Sequence, residues 1–238
     1  MSIVSRLFGK KSKNSNERVK VQQFHKIQLL IKGREYPVEN ISVTGFGFID
    51  KESNKEFKKA KLIHAVIRVL DQLCDIQIDV KHIENGLIGC KVITSCEIYR
   101  KYVVDYFHSE LEGLKLRLIA SENIKENEYG EPFWLYGDYN HEIYFTVKES
   151  KITSFQINFH GQIVSYSDGN VSTGHIWEDD REDIAHKSSD LIKESRKLSK
   201  ETMEFIFRFV EVAEDIKKSY KEEILTLIDK RFKEDWKK

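Results

Sequence analysis

The residues with the most pointed chemistry fall in the segment 40–48, Asn-Ile-Ser-Val-Thr-Gly-Phe-Gly-Phe. Here Asn40 supplies an amide that both donates and accepts, Ser42 a hydroxyl, and Gly45 a backbone able to turn tightly or let a ligand come close. Such a set suits the edge of a guanine and the oxygens of a phosphate, provided cations stand nearby. The preceding stretch provides them. Arg6, Lys10, Lys11, Lys13, Arg18, Lys20, Lys26, Lys32 and Arg34 are opposed, up to position 34, by Glu17 alone, which gives this end a positive local field. A plain alternative stands beside this reading: an ordinary turn between two strands, next to a solvated basic arm.

Other chemistries leave no pattern. The eight histidines never fall in HxxxH or HExxH spacing, and Cys74, Cys90 and Cys96 form no CxxC pair, so no metal site is expected. There is no GxSxG elbow, P-loop or dinucleotide fingerprint, and no enzyme or cofactor is expected either. The carboxylate run Glu178, Asp179, Asp180, Glu182 and Asp183 reads as a solvated face or helix start. A formal net charge of zero removes the global argument for a nucleic-acid partner. An odd number of cysteines fits free thiols in a reducing, cytoplasmic setting. No stretch approaches the roughly 18 consecutive apolar residues of a membrane span, and the opening MSIVSRLFGKK lacks a signal-peptide core.

The elements that must position the polar cluster are β-type. Apolar residues make up 40% of the chain and charged ones 33%, ordinary for a folded protein, and 2 prolines with 12 glycines leave room for long elements. Strands are predicted at 27–31, 36–41, 46–49, 61–69, 74–82 and 87–93, with Asn85-Gly86 as a hairpin turn. Ile98, Tyr102, Val103, Tyr106, Phe107 and Leu111 then follow helical spacing, and Gly113 is a natural stop. The polar stretch 121–131 marks a linker. Beyond it, strands at 142–147, 152–159, 162–166 and 171–176 form a short antiparallel meander, and 184–236 contains neither glycine nor proline. There Phe205, Phe209, Val212, Ile216, Tyr220, Ile224 and Leu227 predict a long amphipathic helix, or two joined near 198–200. Its apolar stripe has two readings: a cover for the meander, or a surface for self-association. Phe133, Trp134, Tyr136 and Tyr139 are read as core packing of this second half.

Asn40, Ser42 and Gly45 occupy the three defining places of the [D/N]xSxxG signature, and the chain resembles the PilZ family over residues 14–118. Ile88-Gly89-Cys90-Lys91-Val92 matches that family's later "iGckF" strand, a basic lead-in precedes the first strand, and a helix follows the last. The resemblance stops short of the second half; together with the patterns above it gives an expected α+β chain, a six-stranded antiparallel PilZ-like barrel with a closing helix followed by the meander and the long C-terminal helix read from the residues. The divisions expected are a flexible basic lead-in at 1–17, the barrel at 18–120, a linker at 121–131 and a second domain at 132–238. It also implies cyclic di-GMP as ligand, held by Arg18, Asn40, Ser42 and Gly45, with Lys13, Lys20 and Gln22 as further contacts. The output it implies is control of motility, attachment or exopolysaccharide through a protein partner or self-association.

One departure matters. The family's RxxxR pair is half present, since whichever register is chosen Arg18 is matched by Asn14 or by Gln22. A second guanidinium would clamp phosphate or guanine bidentately, work an amide does poorly. The rival reading is thus a barrel that no longer binds nucleotide and serves as a protein-interaction scaffold.

Overall fold

The computed structural model describes residues 17–22, 25–51, 57–120, 122, 124, 128–177, 191–194 and 199–236. Lys13, most of the lead-in and the acidic run 178–183 lie outside the described residues. Among the described residues the architecture is α+β, mostly antiparallel sheet with three helices. The chain divides into two compact units, the first ending at His108 and the second starting at Ser109.

The first unit is a curled half-barrel. Its strands are β1 (Val19–Lys20), β2 (Ile27–Ile31), β3 (Arg34–Tyr36), β4 (Val38–Ser42), β5 (Gly45–Ile49), β6 (Leu62–Val69), β7 (Gln72–Glu84) and β8 (Leu87–Val92). They form one antiparallel sheet in the order β1-β4-β5-β8-β7-β6-β2-β3. Eight strands therefore replace the six expected. The strand predicted at 36–41 starts later and gives way to two, because Pro37 has no N–H to donate and separates β3 from β4. The added β1 pairs Val19 with Ile41 and Lys20 with Asn40. Strict alternation drives the curl's interior: Ile63, Ala65, Ile67 and Val69 of β6 and Cys74, Ile76, Ile78 and Val80 of β7 are buried together with Phe46 and Phe48 of β5. Asn85 and Gly86 both carry positive φ (50° and 80°), the left-handed pair a two-residue hairpin favours, and they fix the register of β7 on β8 from Glu84–Leu87 as far as His82–Gly89.

Helix α1 (Cys96–Lys115) outruns the predicted stop at Gly113. A side chain at Gly113 would meet the Phe209 carbonyl oxygen at 2.4 Å, so this glycine serves close packing within the second unit rather than termination. Non-helical angles at Phe107 (φ −102°, ψ 20°) interrupt the helix next to the division between units. Before the break, Tyr99, Val103 and Phe107 are buried; after it, Ser109, Glu110, Leu111 and Glu112 are.

The second unit is a seven-stranded antiparallel meander, larger than the four strands predicted. It comprises β9 (Arg117–Leu118), β10 (Glu131–Tyr136), β11 (Glu142–Lys148), β12 (Lys151–Phe159), β13 (Gln162–Ser167), β14 (Asn170–Trp177) and β15 (Leu191–Glu194), paired in reverse sequence order. β15 lies where a helix was expected; its backbone pairs Leu191 to Glu194 against Trp177 to Gly174, and that ladder outweighs local helix preference. Phe133, Trp134 and Tyr136 of the aromatic group lie on β10, and Tyr139 follows in the short 3-10 turn Asp138–Asn140. Phe133 stacks on Phe145 at 4.9 Å, Trp134 donates to Glu142 at 3.0 Å, and Tyr139 is exposed.

The long helix is two: α2 (Lys200–Val212), capped by Ser199, and α3 (Lys218–Trp236). They part at 213–217 rather than 198–200 for tertiary reasons. Ala213 and Ile216 are both buried there, and Asp215 accepts a hydrogen bond from the Leu118 N–H at 3.1 Å. Ile206, Phe209, Ile224 and Ile228 are each 0% exposed and pack with Phe145, Phe155 and Ile157. Of the predicted stripe, Phe209, Ile216 and Ile224 are thus buried in the unit's own core.

The burial of acids in this unit has a pH consequence. Burial alone would raise the Glu112 carboxyl, but His141, 3.4 Å away, and the Lys115 ammonium at 2.6 Å hold it down to about 2. A depressed acid stabilises the fold above its unfolded value of 4.5 and loses that contribution as pH falls through 2. Between those limits the stability of the second unit is expected to fall by roughly 2 kcal/mol less in Glu112→Gln than in the unmutated protein, as followed by tryptophan fluorescence.

Candidate functional site

Adjacent strands β1, β4, β5, β8 and β7 bring the polar residues of the first unit onto one surface. Inward positions are taken by Ile41, Phe46, Phe48, Ile88 and Val80. The opposite face is nearly bare at its centre, where Gly47 of β5 pairs with Gly89 of β8 and Gly45 pairs with Lys91. Asn40 covers Gly47, 3.0 Å from where a side chain would start, and His82 covers Gly89 so closely that a methyl group would fall 1.8 Å from its ring. Gly45 is tighter in kind, since a side chain would meet the Cys90 carbonyl oxygen at 2.1 Å.

A cleft of about 270 Å³ opens over this floor of Gly45, Gly89 and Cys90. Arg18, Ser42 and Thr44 bound it on the β1–β4 side; Lys81, His82 and Lys91 bound it on the β7–β8 side. Its lining holds three cations and no carboxylate, a composition suited to an anion.

The corner after β4 is built from hydroxyls and carbonyls. Ser42 Oγ donates to the Gly45 carbonyl at 3.0 Å and lies 3.5 Å from Thr44 Oγ1. The Tyr99 hydroxyl, from the first turns of α1, points at the carbonyls of Ser42 (2.9 Å) and Gly45 (3.0 Å). Burial pushes the Tyr99 phenol well above its ordinary range, so it remains a donor. Tyr99→Phe is expected to leave the Ser42 carbonyl short of its partner and cost about 1–3 kcal/mol, read as a lower midpoint in urea followed by far-UV circular dichroism.

Arg18, Ser42 and Gly45 meet in the cleft, and Arg18 Nη1 donates to Asn40 Oδ1 at 3.4 Å. Asn40 itself is not among the lining residues, nor are Lys20 and Gln22. Lys20 is exposed on β1, and the Gln22 N–H donates to His25 Nδ1 at 2.9 Å.

No protein-family model matches the chain, and no curated protein does. Among solved structures, an uncharacterised Legionella protein aligns at 14% identity over 37% of this chain and 88% of its own, with a TM-score of 0.31. The Borreliella burgdorferi protein PlzA, crystallised in complex with c-di-GMP, aligns at 11% identity over 86% of this chain and 95% of its own, with a TM-score of 0.29. Both likenesses are faint, and neither assigns a residue here to a ligand.

Sequence reasoning missed Lys81, His82 and Lys91. Counting back from the Asn85-Gly86 turn puts His82 opposite Gly89, but the irregularity between Val80 and His82 then shifts the register so that Asp79, not Val80, faces Lys91. A bulge of this kind leaves no mark in residue types. Lys81 pairs with Asp79, whose Oδ1 is buried without a hydrogen-bond partner. Burial and the Asp79 charge push the Cys90 thiol up to about 12, so it contributes shape to the floor and no thiolate. Among the described residues no three His, Cys, Asp or Glu side chains gather as a metal site requires, and no helix is long and apolar enough to cross a membrane.

Proposed function

We propose that the first unit binds cyclic di-GMP in this cleft and that the chain is a regulatory, non-catalytic protein of the PilZ type. One observation carries the reading: Arg18 and the signature residues Ser42 and Gly45, far apart in sequence, line a single cationic cleft with a floor of glycines. A guanidinium can clamp a phosphodiester or stack on a purine, hydroxyls can reach phosphate oxygens, and a bare floor lets a flat base approach the backbone. An output in motility or attachment rests on the family resemblance, cytoplasmic residence on the odd count of free cysteines, and a downstream protein partner or self-association on the second half; all belong to the same proposal.

Calorimetric titration with cyclic di-GMP tests it. Arg18→Ala and Ser42→Ala should each weaken binding ten- to a hundredfold, the worth of one charge-assisted or buried hydrogen bond, with the circular dichroism spectrum unchanged. Tight binding indifferent to both substitutions removes the site. Absence of binding by the unmutated protein favours the scaffold reading, to which the single arginine already points.

A further inference from the structure

The half-present arginine pair leaves the anion contact of the cleft one-sided: Arg18 stands alone against ligand charge on the β1–β4 side. The opposite side is not empty. Lys91 projects from β8 at the position paired with Gly45, and its neighbour across β7 is Asp79, which in turn ion-pairs with Lys81 two residues along the same strand. Lys81 and Lys91 are both exposed and both line the cleft, so neither is needed to fill the core. Among the described residues no carboxylate is found paired with Lys91.

We propose that Lys81 and Lys91 form a second anion seat, which does the work of the missing arginine, and that Asp79 holds Lys81 in reserve until ligand charge competes for it. This rests on the cyclic di-GMP reading and deepens it. Two separated phosphodiesters are what distinguish a cyclic dinucleotide from a mononucleotide, and a cleft with cations on both flanks gives each phosphodiester its own counter-charge. A cleft with Arg18 alone serves one phosphate and leaves the other in water. Lysine suits the second seat: its ammonium is a point charge on a flexible stem and can leave Asp79 for a phosphate without the fixed geometry a guanidinium fork demands. Asp79 tunes the exchange. Paired with Lys81, it lowers the charge offered to ligand, and its largely buried position on β7 keeps it beside the cleft while the exposed lysine moves.

The test is a set of titrations with two probes, cyclic di-GMP and GMP, on the full chain. Lys81→Gln/Lys91→Gln should weaken cyclic di-GMP ten- to a hundredfold while moving GMP by less than about threefold, because GMP has no second phosphate to lose. Asp79→Asn should tighten cyclic di-GMP about two- to fivefold, the worth of releasing an exposed lysine from its partner. Three results overturn the proposal. If the double variant binds cyclic di-GMP normally while Arg18→Ala does not, the second seat is wrong and the cyclic di-GMP reading survives. If the unmutated protein binds neither probe, both fall together. If Asp79→Asn weakens binding, Asp79 supports the cleft wall and is no reserve for Lys81.

Discussion

Glu110→Ala is expected to destabilise the second unit by about 3–5 kcal/mol, the cost of stripping one partner from a buried ion pair. Arg208 Nε donates to Glu110 Oε1 at 2.6 Å, and the side chains are only 9% and 3% exposed. Coulombic attraction offsets the desolvation of both charges while they are together. Removal of the acid leaves a largely buried guanidinium without that counter-charge. The double replacement Glu110→Leu with Arg208→Met should recover most of the loss, since apolar residues of similar volume need no counter-charge. Tryptophan fluorescence in a urea titration reads this cleanly, because the chain's 3 tryptophans, Trp134, Trp177 and Trp236, all lie in the second unit. A double variant as unstable as the single one would show that shape, and not charge, holds the pair's place.

The second large effect belongs to the floor of the cleft. Gly45→Ala should lower the stability of the first unit by about 3 kcal/mol and abolish the proposed cyclic di-GMP binding, whereas Gly89→Ala should cost roughly 1 kcal/mol. The difference lies in what the new methyl meets. At Gly45 it meets the backbone oxygen of Cys90 at 2.1 Å, so strands β5 and β8 must separate. At Gly89 it meets the ring of His82, a half-buried side chain that can swing away. The overlap at Gly89 is shorter yet costs less, because a rotamer change is cheaper than a shifted ladder. Thermal melts by circular dichroism decide the matter; equal losses at the two positions would mean that His82 is as fixed as the backbone.

The two halves were unequally legible from the amino-acid order. In the first, alternation in β6 and β7 and the Asn85-Gly86 turn dictate strands and their register almost unaided, and the Asn40, Ser42 and Gly45 spacing marks the corner. What lay hidden there was the product of single backbone events: the missing N–H of Pro37, which separates β3 from β4, and the bulge beside Lys81, which reshuffles the residues facing the cleft. In the second half the controlling contacts join distant segments. Nothing in Val212 to Lys217 says that a helix must end; Leu118, almost a hundred positions earlier, supplies the N–H that Asp215 accepts. Residues 191–194 likewise become a strand only because Asn170–Trp177 offers an edge. Gly113 looked like punctuation and proved to be clearance for Phe209.

Three of the four sheet margins, β1, β3 and β9, finish in stubs. β1 and β9 are two residues long and β3 is three, with Arg34 and Glu35 of β3 exposed. A visiting polypeptide seeking to extend either sheet by hydrogen-bonding along such margins would find a handful of amides and carbonyls, some of them beside charges it must desolvate. Stacking of copies into fibres by the same route is correspondingly discouraged. Any protein that docks at these margins has to recognise side chains, and mutational mapping of such an encounter should therefore yield discrete positions rather than a diffuse stretch of main chain.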